Sequence, residues 1–154
     1  MSEKLQSFTN SKLVMAQSAL NAMESEQGIS RESFRQAFLF HISGVVSGLV
    51  GEVLEASLVQ IGRPVEFVEA EQLLKERNVL SGGIQQIRNL VEHGWLGPVF
   101  EDLRLAQLTV ELSEAQSVNV IASSSGTGSR GNEAESINSV RQLVQDIRGQ
   151  LQEW

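Results

Sequence analysis

The stretch from Arg31 to Ile61 constrains this chain more than any other. Phe34, Phe38, Ile42, Val45, Leu49, Val53 and Ala56 recur every three or four residues, the spacing that lines one face of a helix. Between Gln36 and Gly51 there is no charged side chain, counting His41 as neutral, so the middle of this helix is apolar nearly all round. A helix of that kind must be covered on several sides. The segment therefore predicts one central helix with other elements packed about it. Gly62 and Pro64 are expected to stop it. The uncharged run is short of the ~20 apolar residues that span a bilayer and is read as a buried core helix.

The rest of the chain offers helical partners. From Glu3 to Gln27, Leu13, Ala16, Leu20 and Met23 share a face, widened by Met15 and Ala19. Gly28 is the expected left-handed residue after it, and Ser30 the expected cap of the central helix. A short acidic helix is expected from Val65 to Arg77, with Asn78 behind it. Ser81 is placed to cap a helix carrying Ile84, Ile87, Leu90 and Val91. "HGWLGP" breaks that helix, and the next is expected to open at Pro98 and to carry Val99, Leu103, Ala106 and Val110. Residues 113–122 read as either helix or extended chain. Ser123 to Asn132, "SSSGTGSRGN", reads as a loop. The helix expected over 133–154 opens with a capping-box pair, Asn132 and Glu135. Ile137, Val140, Val144, Ile147, Leu151 and Trp154 then form a narrow seam at alternating spacings of three and four. No strand–helix alternation is visible, so a parallel sheet is not supported. The expectation is one all-α domain over 1–154, an antiparallel bundle of five or six helices.

Composition narrows the function classes. The chain has no cysteine, which removes disulfides and thiolate metal sites. Its net charge is −7 and its cations are scattered, the opposite of the basic patch with which nucleic-acid binders neutralise phosphates. The acidic balance also disfavours an anionic membrane surface. The polar start, "MSEKLQSFTN", does not read as a signal peptide. A cytoplasmic protein without a cofactor is the resulting expectation.

One stretch carries a possible active site. "RNLVEH", Arg88 to His93, matches the Arg–polar–three residues–His spacing of the HEPN ribonuclease superfamily. "HGWLG" resembles the segment at the motif's histidine in some members, with Trp95 at the place of a tyrosine. The resemblance implies an RNA-cleaving site assembled across a dimer, with His93 as general base and Arg88 stabilising the charged phosphorane. Local geometry gives a competing account. Five residues along a straight helix turn through about 140° and rise about 7.5 Å, so the two side chains do not share a face. Gly94 reads as the left-handed residue of a Schellman ending, and a histidine at a helix C-terminus is stabilised by the dipole without catalysis. Arg35 and His41 repeat the spacing with five residues between, so at least one of the two matches is accidental.

Carboxylates give a second candidate. Glu52 and Glu55 form an ExxE one helical turn apart, and Glu66 and Glu69 a second. The arrangement is similar to that of MazG-type nucleotide pyrophosphohydrolases, which implies Mg²⁺ held by converging oxygens. The later ExxD of that pattern is missing. The structural alternative has Glu52 and Glu55 facing solvent and Glu66 and Glu69 favouring a helix N-terminus. His41 sits among Phe38, Ile42 and Val45 and reads as a core histidine with one hydrogen-bond partner. A di-iron bundle needs Glu-x-x-His pairs, whereas Phe38 and Leu90 stand three residues before the histidines.

Two features suggest association instead. Gly44 and Gly48 make a small-residue step beside Gly51, costing about 1 kcal/mol per glycine inside a helix, which calls for close approach of another helix in the same bundle or in a partner. The C-terminal seam offers the same choice: docking on its own bundle or on a second chain. If it serves a partner, truncation after Ser123 leaves a folded monomer; if it is core, truncation unfolds the protein.

"FTNSKLVMAQSAL", "FLFHISGVVSGLVGEV", the "WL" at Trp95 and Leu96, "NVIA" at Asn119 to Ala122 and the terminal "RGQLQEW" together resemble, in order and over most of the chain, a gammaproteobacterial family of small helical proteins, a domain of unknown function. The resemblance implies a helical fold with His41, Trp95 and Trp154 in its pattern and brings no activity with it. The Arg88–His93 pair is not associated with that family. The functional expectation is a non-enzymatic cytosolic bundle that acts by binding another protein or its own copy, through the Gly44/Gly48 groove or the C-terminal seam.

Overall fold

The computed structural model describes residues 2–57, 59–113 and 133–153, with backbone only for 109–113. Six helices and no strand are found among them: α1 Glu3–Glu24, α2 Gly28–Ala56, α3 Phe67–Glu76, α4 Gly82–His93, α5 Leu96–Ser113 and α6 Glu133–Gln152. The expected all-α bundle is thus the observed fold. Asn132, Trp154 and all of 114–132 lie outside the described residues, and with them the capping box, the loop and most of the ambiguous 113–122 stretch.

α2 is the central helix. Phe38, Ile42, Val45, Leu49, Val50 and Leu54 are wholly buried, and helices α1, α3, α4, α5 and α6 all pack on it. It is long and apolar enough to cross a membrane by composition, contrary to the sequence expectation, but two thirds of that apolar window is covered by the chain's own helices (67% buried). α1 runs antiparallel to α2 in close contact, with Thr9 and Phe8 against Gly48 and Lys12 against Gly44. A Cβ on Gly48 would lie 2.5 Å from Thr9 Oγ1, so the small residues are what let the two backbones approach.

Several boundaries differ from expectation, each for a local reason. α1 ends at Glu24, because Ser25 caps it: its N–H and its Oγ both bond the Ala22 carbonyl, and Arg31 Nη1 takes the Met23 carbonyl. Gly28, at φ +61°, opens α2 rather than closing α1, and Gln27, not Ser30, is the N-cap. Met15 is exposed, while Ala16, Ala19, Leu20 and Met23 are buried. α2 stops at Ala56 because the Val59 N–H reaches back to the Leu54 carbonyl at 2.9 Å. The chain then folds back along the helix, with Val59 and Val65 buried and the Val65 N–H on the Ser47 carbonyl. The apolar run to Ile61 continues the helical pattern in sequence only. Asn78 is left-handed (φ 54°) behind α3, and Ser81 Oγ accepts from the Ile84 N–H, both as expected.

Candidate functional site

α4 runs without a break from Gly82 to His93, so the turn between Arg88 and His93 keeps them apart on the helix. Arg88 reaches across to α3, where its Nε and Nη2 both bond Glu71 Oε1. It forms part of the wall of a groove between α3 and α4 to which His93 does not contribute. His93 is the last residue of α4, its side chain 78% exposed, with Glu92 its one ionic neighbour among the described residues, at 3.8 Å. Within one chain the pair is not brought to one point. The sequence account of the break needs correcting in its details. Gly94 is extended (φ −118°, ψ −159°), not left-handed, although its N–H still closes on the Leu90 carbonyl. α5 opens at Leu96, which puts Pro98 inside the first turn, where its missing N–H costs nothing.

The ExxE carboxylates do not converge either. Glu52 is fully buried (0% exposed), which overturns the expectation that it faces solvent. Its Oε2 accepts from Arg148 Nε at 2.9 Å and its Oε1 from Arg148 Nη2 at 2.9 Å, a two-pronged pairing from α6. Thr9 on α1 adds a hydroxyl 2.6 Å from Oε1. The remaining guanidinium nitrogen, Nη1, donates to Asn10 Oδ1. Three helices thus meet at one carboxylate, both of whose oxygens accept from protein donors. Glu55 instead accepts from the Ser2 N–H at 2.9 Å. Glu69 pairs with Arg63 on the surface, which lowers its pKa and raises that of Arg63, while Glu66 stands at the exposed N-cap of α3. Among the described residues no three His, Asp or Glu side chains gather as a cation site.

A second ionic cluster ties α2 and α5 to the opposite end of α6. Arg35 on α2 lies between Glu32, Asp102 on α5 and Glu133, the first residue of α6. Neither cluster was identified from the sequence. The signal was present in part: Glu52 is a carboxylate inside the most apolar helix, and such a group is buried only when paired. Nothing local pointed to Arg148, 96 residues away.

The two expected association surfaces are occupied. The Gly44/Gly48 groove holds α1 of the same chain. Ile137, Val140, Val144 and Ile147 are buried against α1 and α2, and Leu151 packs at the edge of the core. Trp154 lies outside the described residues. In this structure the seam is core.

His41 is half-buried, not a satisfied core histidine: its Nδ1 is enclosed and meets no hydrogen-bond partner among the described residues. Its ring packs edge-on against Phe40, over which Lys12 places its ammonium at 4.9 Å. Burial first, and the Lys12 charge second, lower the His41 pKa below 6.5. The unfolded chain then binds this proton more readily than the folded one. Stability is complete above pH 6.5 and falls as the pH drops through that value toward the lowered pKa. Denaturation midpoints measured from about pH 7 to about pH 5 are expected to decline, with a flatter decline in His41→Gln.

The described surface also carries large apolar side chains. Leu80, in the turn between α3 and α4, is 95% exposed, and Val68 on α3 is 73% exposed. Leu80 stands at the lip of the α3–α4 groove, whose floor is Leu74 and Ile84 and whose walls include Gln72, Lys75, Gln85 and the Arg88–Glu71 pair. Comparison with family models, with curated proteins and with solved structures finds no match to this chain.

Proposed function

We propose that this chain is a non-enzymatic cytosolic protein that acts by binding another protein, and that the α3–α4 hairpin is the surface it uses. One contrast supports the reading. Arg88, Glu52, Glu55 and Glu69 each have a hydrogen-bonded partner within the chain, whereas Leu80 stands almost fully exposed beside an apolar-floored groove. Protein interfaces set an apolar centre within a polar rim, and the groove beside Leu80 has that arrangement.

The test compares capture of cytosolic proteins by wild type and by Leu80→Asp. An aspartate at an exposed turn position changes stability by less than about 0.5 kcal/mol, so both chains should melt alike. A protein retained by wild type and lost by at least tenfold with Leu80→Asp is the expected result. Equal retention by both chains contradicts the surface assignment.

A further inference from the structure

We propose that the α3–α4 groove receives a short acidic, amphipathic helix of a partner protein, with apolar side chains on the groove floor and a carboxylate on Lys75. The proposal rests on the reading of this hairpin as the binding surface and names the chemistry of what it binds. The floor, Leu74 from α3 and Ile84 from α4, is apolar. The lining on α4 runs from Ser81 to Arg88, a rise of about 10 Å or two helical turns. A helix laid in a groove of that length presents apolar residues at positions i, i+4 and i+7. Leu80, 95% exposed at the lip, adds an apolar contact.

The charges on the walls select the sign of the ligand. Arg88 and Glu71 bond each other, so neither charge is left over. Lys75 is exposed and forms no ion pair among the described residues. Its ammonium is not spent on the end of its own helix either. The Leu73, Leu74 and Lys75 carbonyls there are taken by the N–H groups of Arg77, Val79 and Asn78. The groove therefore carries one uncompensated positive charge in a chain whose net charge is −7. An acidic segment is repelled by the chain as a whole and attracted at this groove, a complementarity that fixes where it docks and in which register. A phosphate backbone is bound by several cations together, and the groove offers one.

The test selects random peptides of about twelve residues, displayed on phage, against the full chain and measures the enriched peptides by fluorescence anisotropy. The selection is expected to enrich peptides with Leu, Ile or Phe at i and i+4 and with Asp or Glu beside them. Their affinity is expected to fall about tenfold in Lys75→Glu, which replaces attraction by repulsion, and to return when the peptide's acidic residue is changed to Lys. Lys75→Gln removes the attraction alone and is expected to cost about threefold. Thermal melts accompany each variant, and Lys75→Gln carries the test if the reversed charge unsettles α3. Peptides lost with Leu80→Asp but bound equally by wild type, Lys75→Gln and Lys75→Glu overturn the charge assignment and leave the surface standing. Peptides bound equally by Leu80→Asp, or a selection that enriches none, remove the surface as well.

Discussion

Replacing Arg148 by methionine is expected to destabilise the protein by about 3–5 kcal/mol, the cost of leaving a buried carboxylate without its partner. For a domain of this size that lowers Tm by roughly 10 °C. The side chain removed is partly exposed, and its loss by itself would be mild. The effect comes from Glu52, which has 0% exposure. A second change separates the two contributions. Glu52→Leu in the Arg148→Met background removes the stranded charge and should recover most of the loss, because an apolar pair of similar volume is often as stable as a buried ion pair. Urea denaturation of the wild type, both single variants and the double variant gives the coupling directly. Additive single effects would show that Glu52 and Arg148 are not joined as the 2.9 Å contacts indicate.

Ending the chain at residue 132 is expected to abolish cooperative unfolding. Ile137, Val140, Leu143, Val144 and Ile147 are buried residues of α6, each worth about 1.5–3 kcal/mol on burial. Together they contribute on the order of 7–15 kcal/mol, comparable to the whole stability of an ordinary domain. The truncated chain also strands Glu52 and frees Arg35 from Glu133. Far-UV circular dichroism should keep part of its helical signal while the melt becomes broad. A sharp melt near the wild-type temperature would return the C-terminal seam to the role of a detachable arm.

The fold was legible where the physics is local and periodic. The central helix followed from the spacing of Phe38, Ile42, Val45 and Leu49, and the α4 start from Ser81. Helix ends were less legible, because distant groups decide them. The Arg31 guanidinium satisfies the end of α1, and the returning Val59–Val65 segment takes over the apolar pattern beyond Ala56. Gly94 has the expected residue type at the expected break but an extended backbone, since Leu96 begins α5 too soon for a left-handed turn to precede it.

The candidate sites were legible as spacings but not as neighbours. Arg88 and His93 keep their sequence interval, yet Glu71 on another helix decides where Arg88 points. Glu52 and Glu55 are one turn apart, yet one turns into the bundle toward Arg148 and the other to the chain's first residues. Pairing across 96 residues depends on how helices stack, which periodicity does not encode. Exposure was equally hidden. Leu80 looks like any leucine in the sequence, and only the packing of α3 on α4 leaves it outside.

On the proposed reading the charged pairs of this chain serve its architecture and not catalysis. The most direct measurement incubates single-stranded RNA with purified wild type and with His93→Ala, alongside the thermal melt of each. The expected result is no cleavage above a protein-free control by either chain, and melts that agree, since the His93 side chain is 78% exposed. Cleavage by the wild type that disappears in His93→Ala at unchanged Tm would contradict it.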